Sequence, residues 1–166
     1  MLARVPAARV RIAAVAFFTV ALMLDGWARY DRLPMWRYPP GVYASIPQTG
    51  AVLFEFPIHP QPERFAENLP YMYFSIWHWT PMVNGYSGFN PGSYAALIDA
   101  TSAFPDARSL DYLGRTGVTH IAVHCRLWEP EVCAATVNRL ETMPQVRRIA
   151  SADWYGAPSS LFELGR

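Results

Sequence analysis

Ala51-Val52-Leu53-Phe54-Glu55-Phe56, stopped by Pro57, and Gly117-Val118-Thr119-His120-Ile121-Ala122-Val123-His124 are the two stretches whose reading decides the fold. Each is a nearly continuous apolar run of strand length, not an alternating one. That is the pattern of a strand covered on both faces, as in a parallel sheet flanked by helices. Val118, Ile121 and Val123 supply the β-branched residues that pack well on a pleated surface. Glu55 is the one anomaly in the first run. Between the two strands, Pro91 fits the first turn of a helix with Asn90 as its N-cap, and Tyr94, Leu97, Ile98 and Thr101 follow at helical spacing. A second helix starts at an Asp106 cap, carries Leu110 and Leu113, and stops at Gly114 or Gly117. After the second strand, Pro130 to Met143 reads as a third helix. Val146–Ser151 and Ser160–Leu164 read as a last pair of strands turning at Gly156-Ala157-Pro158. The order strand, loop, two helices, strand, helix, strand, strand predicts an α/β layered domain with a small mixed sheet and flanking helices.

Working outward, the N-terminus is of another kind. Ile12 to Leu24 is apolar except for Thr19, and Arg4, Arg9 and Arg11 precede it with no acid before Asp25. Two readings stand. A run of this length suits the apolar region of a cleaved signal, with Gly26-Trp27-Ala28 as a small-x-small site. Alternatively Arg9 and Arg11 snorkel, Ala7 to Gly26 spans a bilayer as a retained helix, and Trp27, Tyr30 and Trp36 anchor it at the interface. Both readings export the remainder of the chain, because the arginines stay on the cytoplasmic side. Residues 1–28 are therefore a signal-anchor or transmembrane helix, residues 29–50 with Pro34, Pro39, Pro40 and Pro47 a proline-rich tether, and residues 51–166 the extracytoplasmic domain.

Composition removes several classes. The 166 residues carry 14 basic and 13 acidic side chains, a net charge of +1, so the basic surplus of a nucleic-acid binder is missing. Every basic residue is arginine, which excludes chemistry built on a Schiff-base or P-loop lysine. Neither a phosphate loop nor a dinucleotide fingerprint is present, and no cofactor is expected. Cys125 and Cys133, the two cysteines, have two readings: a disulfide formed in an oxidising compartment, or two small buried hydrophobes. Neither their spacing nor the neighbouring His124 matches a structural zinc site. His120 and His124 on one strand stand roughly 13 Å apart and cannot share a metal. His59, in the proline-rich loop, reads as solvated.

Chemistry-bearing residues gather in two places. If the two apolar strands are parallel neighbours, Glu55 and His124 both lie near their carboxyl ends, where open α/β sheets place ligands. Such a pair serves acid–base work, or is a buried contact that ties loop to sheet. The second place is Tyr71 to Tyr94, with eight aromatics in 24 residues. There Tyr73, His78, Asn84, Tyr86 and Ser87 put polar tips on apolar bodies, which suits a sugar- or headgroup-binding surface or simply the packing of an irregular loop. Ser87 lacks the Gly-x-Ser-x-Gly elbow, since Phe89 occupies the second glycine position. The expectation is that Tyr73, His78 and Asn84 line one concavity with Glu55 and His124.

Residues 51–57, Tyr71-Met72-Tyr73-Phe74-Ser75, the stretch from His78 through Asn84-Gly85 to Phe89, Pro91, Tyr94, Phe104-Pro105 and 117–124 resemble the C-terminal soluble region of bacterial polytopic membrane proteins described as GT-C-like glycosyltransferases or simply as uncharacterised integral membrane proteins. The resemblance covers about residues 40–130. It implies a single-pass chain in the bacterial cell membrane, its domain periplasmic or extracellular. It further implies an accessory or recognition role beside a polytopic membrane partner that handles a glycan or polyprenyl-linked sugar. The acidic residues that carry glycosyl transfer in that class lie in loops near the first membrane helices, which this chain does not contain. Two alternatives stand beside it: a small cell-envelope transferase or hydrolase using Glu55 and His124, and a structural docking module for a membrane partner.

Overall fold

The computed structural model describes residues 7–27, 36–59, 68–85 and 91–165. Helix α1, Ala7–Asp25, has no buried residue and is long and apolar enough to cross a membrane. It belongs to one unit of the chain; the rest, from Trp36 on, forms another.

The second unit is α/β, built on a four-stranded mixed sheet: β1 (Leu53–Phe56), β2 (His120–His124), β3 (Val146–Trp154) and β4 (Ala157–Leu164), in the order β1-β2-β4-β3. β1 and β2 are parallel, with Glu55 opposite Ala122, and β4 runs antiparallel to both of its neighbours. Every residue of β1 and β2 is buried, as the continuous apolar runs require. Because side chains alternate along a strand, the sheet has two inner faces. One carries Phe54, Phe56, Ile121, Val123, Phe162 and Leu164 and is covered by α3 (Gly92–Ala100), α4 (Ala107–Arg115) and α5 (Pro130–Glu141) through Leu97, Leu110, Leu113 and Leu140. The other carries Leu53, Ala122 and Leu161 and packs against Phe74 of α2 (Leu69–His78) and Val42, Tyr43 and Ile46. Each such side chain, fully buried, stabilises the fold by about 1.5–3 kcal/mol before entropy is counted.

Several boundaries differ from the sequence reading. The tether expected at residues 29–50 belongs to the folded unit from Trp36 onward and contributes buried residues to it: a 3₁₀ turn at Gly41–Ser45 buries Val42 and Tyr43, and Ile46 is buried beside them. This part is held by the β3–β4 hairpin. The main-chain N–H groups of Arg37 and Tyr38 donate to the Tyr155 hydroxyl, and Trp154 Nε1 donates to the Tyr38 carbonyl. Proline content masked it, since prolines rule out long regular elements but not burial. The hairpin turns at Tyr155-Gly156, both at positive φ, so β3 and β4 are longer than expected and Pro158 lies inside β4. Tyr71–His78, read as irregular, is mostly the helix α2, with Pro70 in its first turn. His59 is buried, not solvated. α3 has Pro91 at its cap position; Asn90, expected there, lies outside the described residues. Asp106 caps α4 as expected and shares a reciprocal capping box with Ser109. Cys125 and Cys133 form a disulfide that ties the end of β2 to α5, with Cα atoms 5.3 Å apart.

Candidate functional site

Period-2 alternation puts Glu55 of β1, His124 of β2 and Ser159 of β4 on the same face of the sheet, with His124 directly opposite Ser159. The three meet. His124 Nε2 lies 2.6 Å from Glu55 Oε2, so its hydrogen points to the carboxylate, while Nδ1 is 3.0 Å from Ser159 Oγ. The Tyr43 hydroxyl donates to the other carboxylate oxygen, Oε1, at 2.9 Å. Burial, and then the adjacent Glu55 carboxylate, push the Tyr43 phenol well above its ordinary range, so it remains a donor. Tyr71 and Trp154 flank the imidazole with ring centroids 5.7 Å away. The connectivity serine–imidazole–carboxylate is that of a nucleophile, base and orienting acid. Its exposure is not: Glu55, His124 and Ser159 are each 0% accessible. A catalytic group has to reach its substrate within hydrogen-bond distance, and this serine reaches none. The arrangement is a closed polar network inside the core, with its polar atoms paired.

Asn84 belongs to this network through the backbone. β1 is an edge strand, and the outward N–H and C=O of Glu55 would otherwise lack partners. The Asn84 carboxamide supplies both: Oδ1 accepts from Glu55 N–H at 2.6 Å and Nδ2 donates to the Glu55 carbonyl at 2.8 Å. Two residues earlier, Leu53 N–H donates to the Pro81 carbonyl, and Val83 N–H donates back to the Leu53 carbonyl. The segment 81–84 thus closes the edge like a short fifth strand. The polar tip that makes Asn84 a binding candidate is turned to the backbone.

His78, at the end of α2, packs its ring 4.8 Å from the Tyr43 ring. Its Nδ1 accepts a hydrogen bond from Thr80 N–H at 3.1 Å, which requires a neutral imidazole with the proton on Nε2. Nε2 is buried and finds no hydrogen-bond partner. Burial lowers the His78 pKa from 6.5, opposed by the charge of Glu55.

Tyr73 does not join these residues. On a helix, Tyr71 and Phe74 face the sheet while Tyr73 turns outward to pack on Phe74 and Trp77, and it is exposed. The single concavity expected from sequence is thereby corrected: Glu55, His124 and Asn84 are buried together, His78 borders them through Tyr43, and Tyr73 lies on the outer face of α2. Tyr86 and Ser87 lie outside the described residues. An open groove of about 250 Å³ is lined by Pro47, Gln48, Ala51, Val52, Trp79 and Pro81, away from the acid–imidazole pair. Among the described residues no cluster of three or more His, Cys, Asp or Glu is placed to hold a metal ion. His120 instead hydrogen-bonds Thr119 Oγ1.

Sequence reasoning missed Tyr43, Tyr71, Trp154 and Ser159. Tyr43 lies in the apparent tether, and Ser159 carries no motif. A signal does exist for Ser159, since an antiparallel β4 beside β2 places a residue of its start opposite His124. No protein-family model, curated protein or solved structure matches the chain.

Proposed function

We propose that this chain is a membrane-anchored extracytoplasmic accessory or recognition domain, non-catalytic alone, that works beside a polytopic membrane protein handling a glycan or polyprenyl-linked sugar. The observation that carries the reading is the closure of the Glu55–His124–Ser159 network: the best acid–base constellation among the described residues is fully buried, so the domain acts through its surface. Two further features support the setting. α1 has the length and hydropathy of a membrane span, and the Cys125–Cys133 bond suits an oxidising compartment such as the periplasm. The sugar-handling partner rests on the resemblance of residues 40–130 alone.

The test is complementation in the native host with Glu55→Gln, which keeps the shape and a hydrogen-bonding tip but cannot take up a proton. A normal envelope glycan profile in a strain carrying only this variant is expected. A lost profile with unchanged protein level and thermal stability would favour the envelope transferase or hydrolase instead. A phosphatase fused after Gly165 is expected to be active, as only an exported enzyme is.

The second reading, a docking module for a membrane partner, is favoured by one specific observation. The outward face of α2 is apolar and uncovered.

A further inference from the structure

Leu69, Met72, Tyr73, Ile76 and Trp77 recur at the i, i+3, i+4, i+7, i+8 spacing of one helical stripe, on the side of α2 turned away from Tyr71 and Phe74. All are exposed, Ile76 at 50% and Trp77 at 46%. Trp79 follows directly after the helix end. It occupies the capping position at φ 50°, in the left-handed region where glycine or asparagine is usual, and it is 83% exposed. A tryptophan there strains the backbone and buries little in return, and strain of this kind concentrates at functional positions. A contiguous apolar face on an otherwise ordinary surface marks an interaction site.

We infer that this face of α2 and Trp79 seat in the interfacial layer of the lipid bilayer that α1 crosses. Three properties favour lipid as the occupant. From Asn68 to Gly85 there is no Asp, Glu, Lys or Arg, so the face offers no ion pair with which to select a protein partner. Its makeup, aliphatic Leu, Met and Ile beside the amphipathic rings of Tyr and Trp, is that of interfacial membrane segments. Only residues 26–35 connect α1 to Trp36, which packs against the core, and that stretch reaches at most about 40 Å when fully extended. With α1 in the bilayer, that reach limits how far the domain can stray, and a modest apolar face suffices to hold it. The inference rests on the reading of α1 as a membrane anchor.

The test uses the full chain reconstituted in phosphatidylcholine vesicles with brominated acyl chains, which quench tryptophans in contact with the lipid. Trp27, just past α1, reports on anchoring; Trp77 and Trp79 report on the face. Replacing Trp77 and Trp79 together by Phe is expected to remove most of the quenchable emission that remains in a Trp27→Phe background. Trp79→Gly is expected to keep or raise the Tm, because glycine relieves the left-handed position, while exposing the rest of the face to aqueous quencher. If Trp77 and Trp79 are not quenched by lipid, the inference is overturned, whether they lie in open water, against a second copy or against a protein. Trp27 quenched while Trp77 and Trp79 are not would overturn the seating and leave the anchor standing. Trp27 unquenched would overturn the anchor, and with it the seating that rests on it.

Discussion

Substituting His124 by Leu, of similar bulk, leaves the Glu55 carboxyl, 0% accessible, with the Tyr43 hydroxyl as its side-chain partner instead of two groups, and it orphans Ser159 Oγ. Breaking one side of a buried acid–base pair typically costs about 3–5 kcal/mol, since the remaining group keeps its desolvation penalty and loses its compensation. Glu55→Leu does the same to the imidazole and to Tyr43. The double variant removes both buried groups, and what remains is two unpaired hydroxyls at about 1–3 kcal/mol each. The singles therefore sum to about 6–10 kcal/mol and the double costs about 2–6, a coupling energy on the order of 4 kcal/mol. Against a total stability of about 5–15 kcal/mol, either single substitution consumes a large part of the fold. The assay is guanidinium unfolding of the full chain in detergent, followed by near-ultraviolet circular dichroism, for wild type, both singles and the double. Strong non-additivity with the double milder than the sum is expected. Singles that each cost under about 1 kcal/mol, or costs that simply add, would refute the view that this network is a sealed structural element.

Asn84→Ala leaves the outward N–H and C=O of Glu55 unpaired at a buried strand edge, and a loss of about 2–4 kcal/mol in guanidinium unfolding is expected; a loss under about 0.5 kcal/mol would show that water closes the edge equally well. His78 and His120 are both held below their ordinary pKa of 6.5, by burial first. Because the folded pKa is the lower one, the unfolded chain binds more protons below about pH 6.5, so their stability contribution is present above that pH and is lost as pH falls. Thermal melts at pH 7.5 and 5.5 are expected to show a drop that is smaller in a His78→Gln/His120→Gln double variant. Asp106 does not interfere, since its lowered pKa moves its own loss to pH values under 3.8. Replacing Cys125 and Cys133 by Ala removes a cross-link spanning eight residues of sequence and is expected to cost about 2.5 kcal/mol by chain entropy, measured as a shift in the unfolding midpoint; an unchanged midpoint would show that the link contributes nothing.

Legibility of the sequence tracks how local each signal is. Residues 51–57 and 117–124 carry their strand signal within themselves, and so do the Asp106 cap and the Pro130 helix start. Tyr71–His78 misled because aromatic density and flanking prolines resemble a loop, whereas Pro70 sits where a helix tolerates it. Residues 36–46 misled for a related reason: prolines exclude regular structure, and burial does not need regular structure.

By itself the sequence determined an apolar N-terminal helix, an α/β layering with two buried strands, and the presence of Glu55 and His124 at the ends of those strands. These come from run length, periodicity and turn residues, which act between near neighbours. Only the tertiary structure decided what the pair is for. Tyr43 arrives from 12 residues before Glu55, and Ser159 from 35 residues after His124, and with α2 they close the face over the pair. Burial is a property of what covers a residue, and the cover comes from distant parts of the chain. For the same reason the one aromatic segment divided: helical periodicity turned Tyr71 and Phe74 into core and left Tyr73, Trp77 and Trp79 outside.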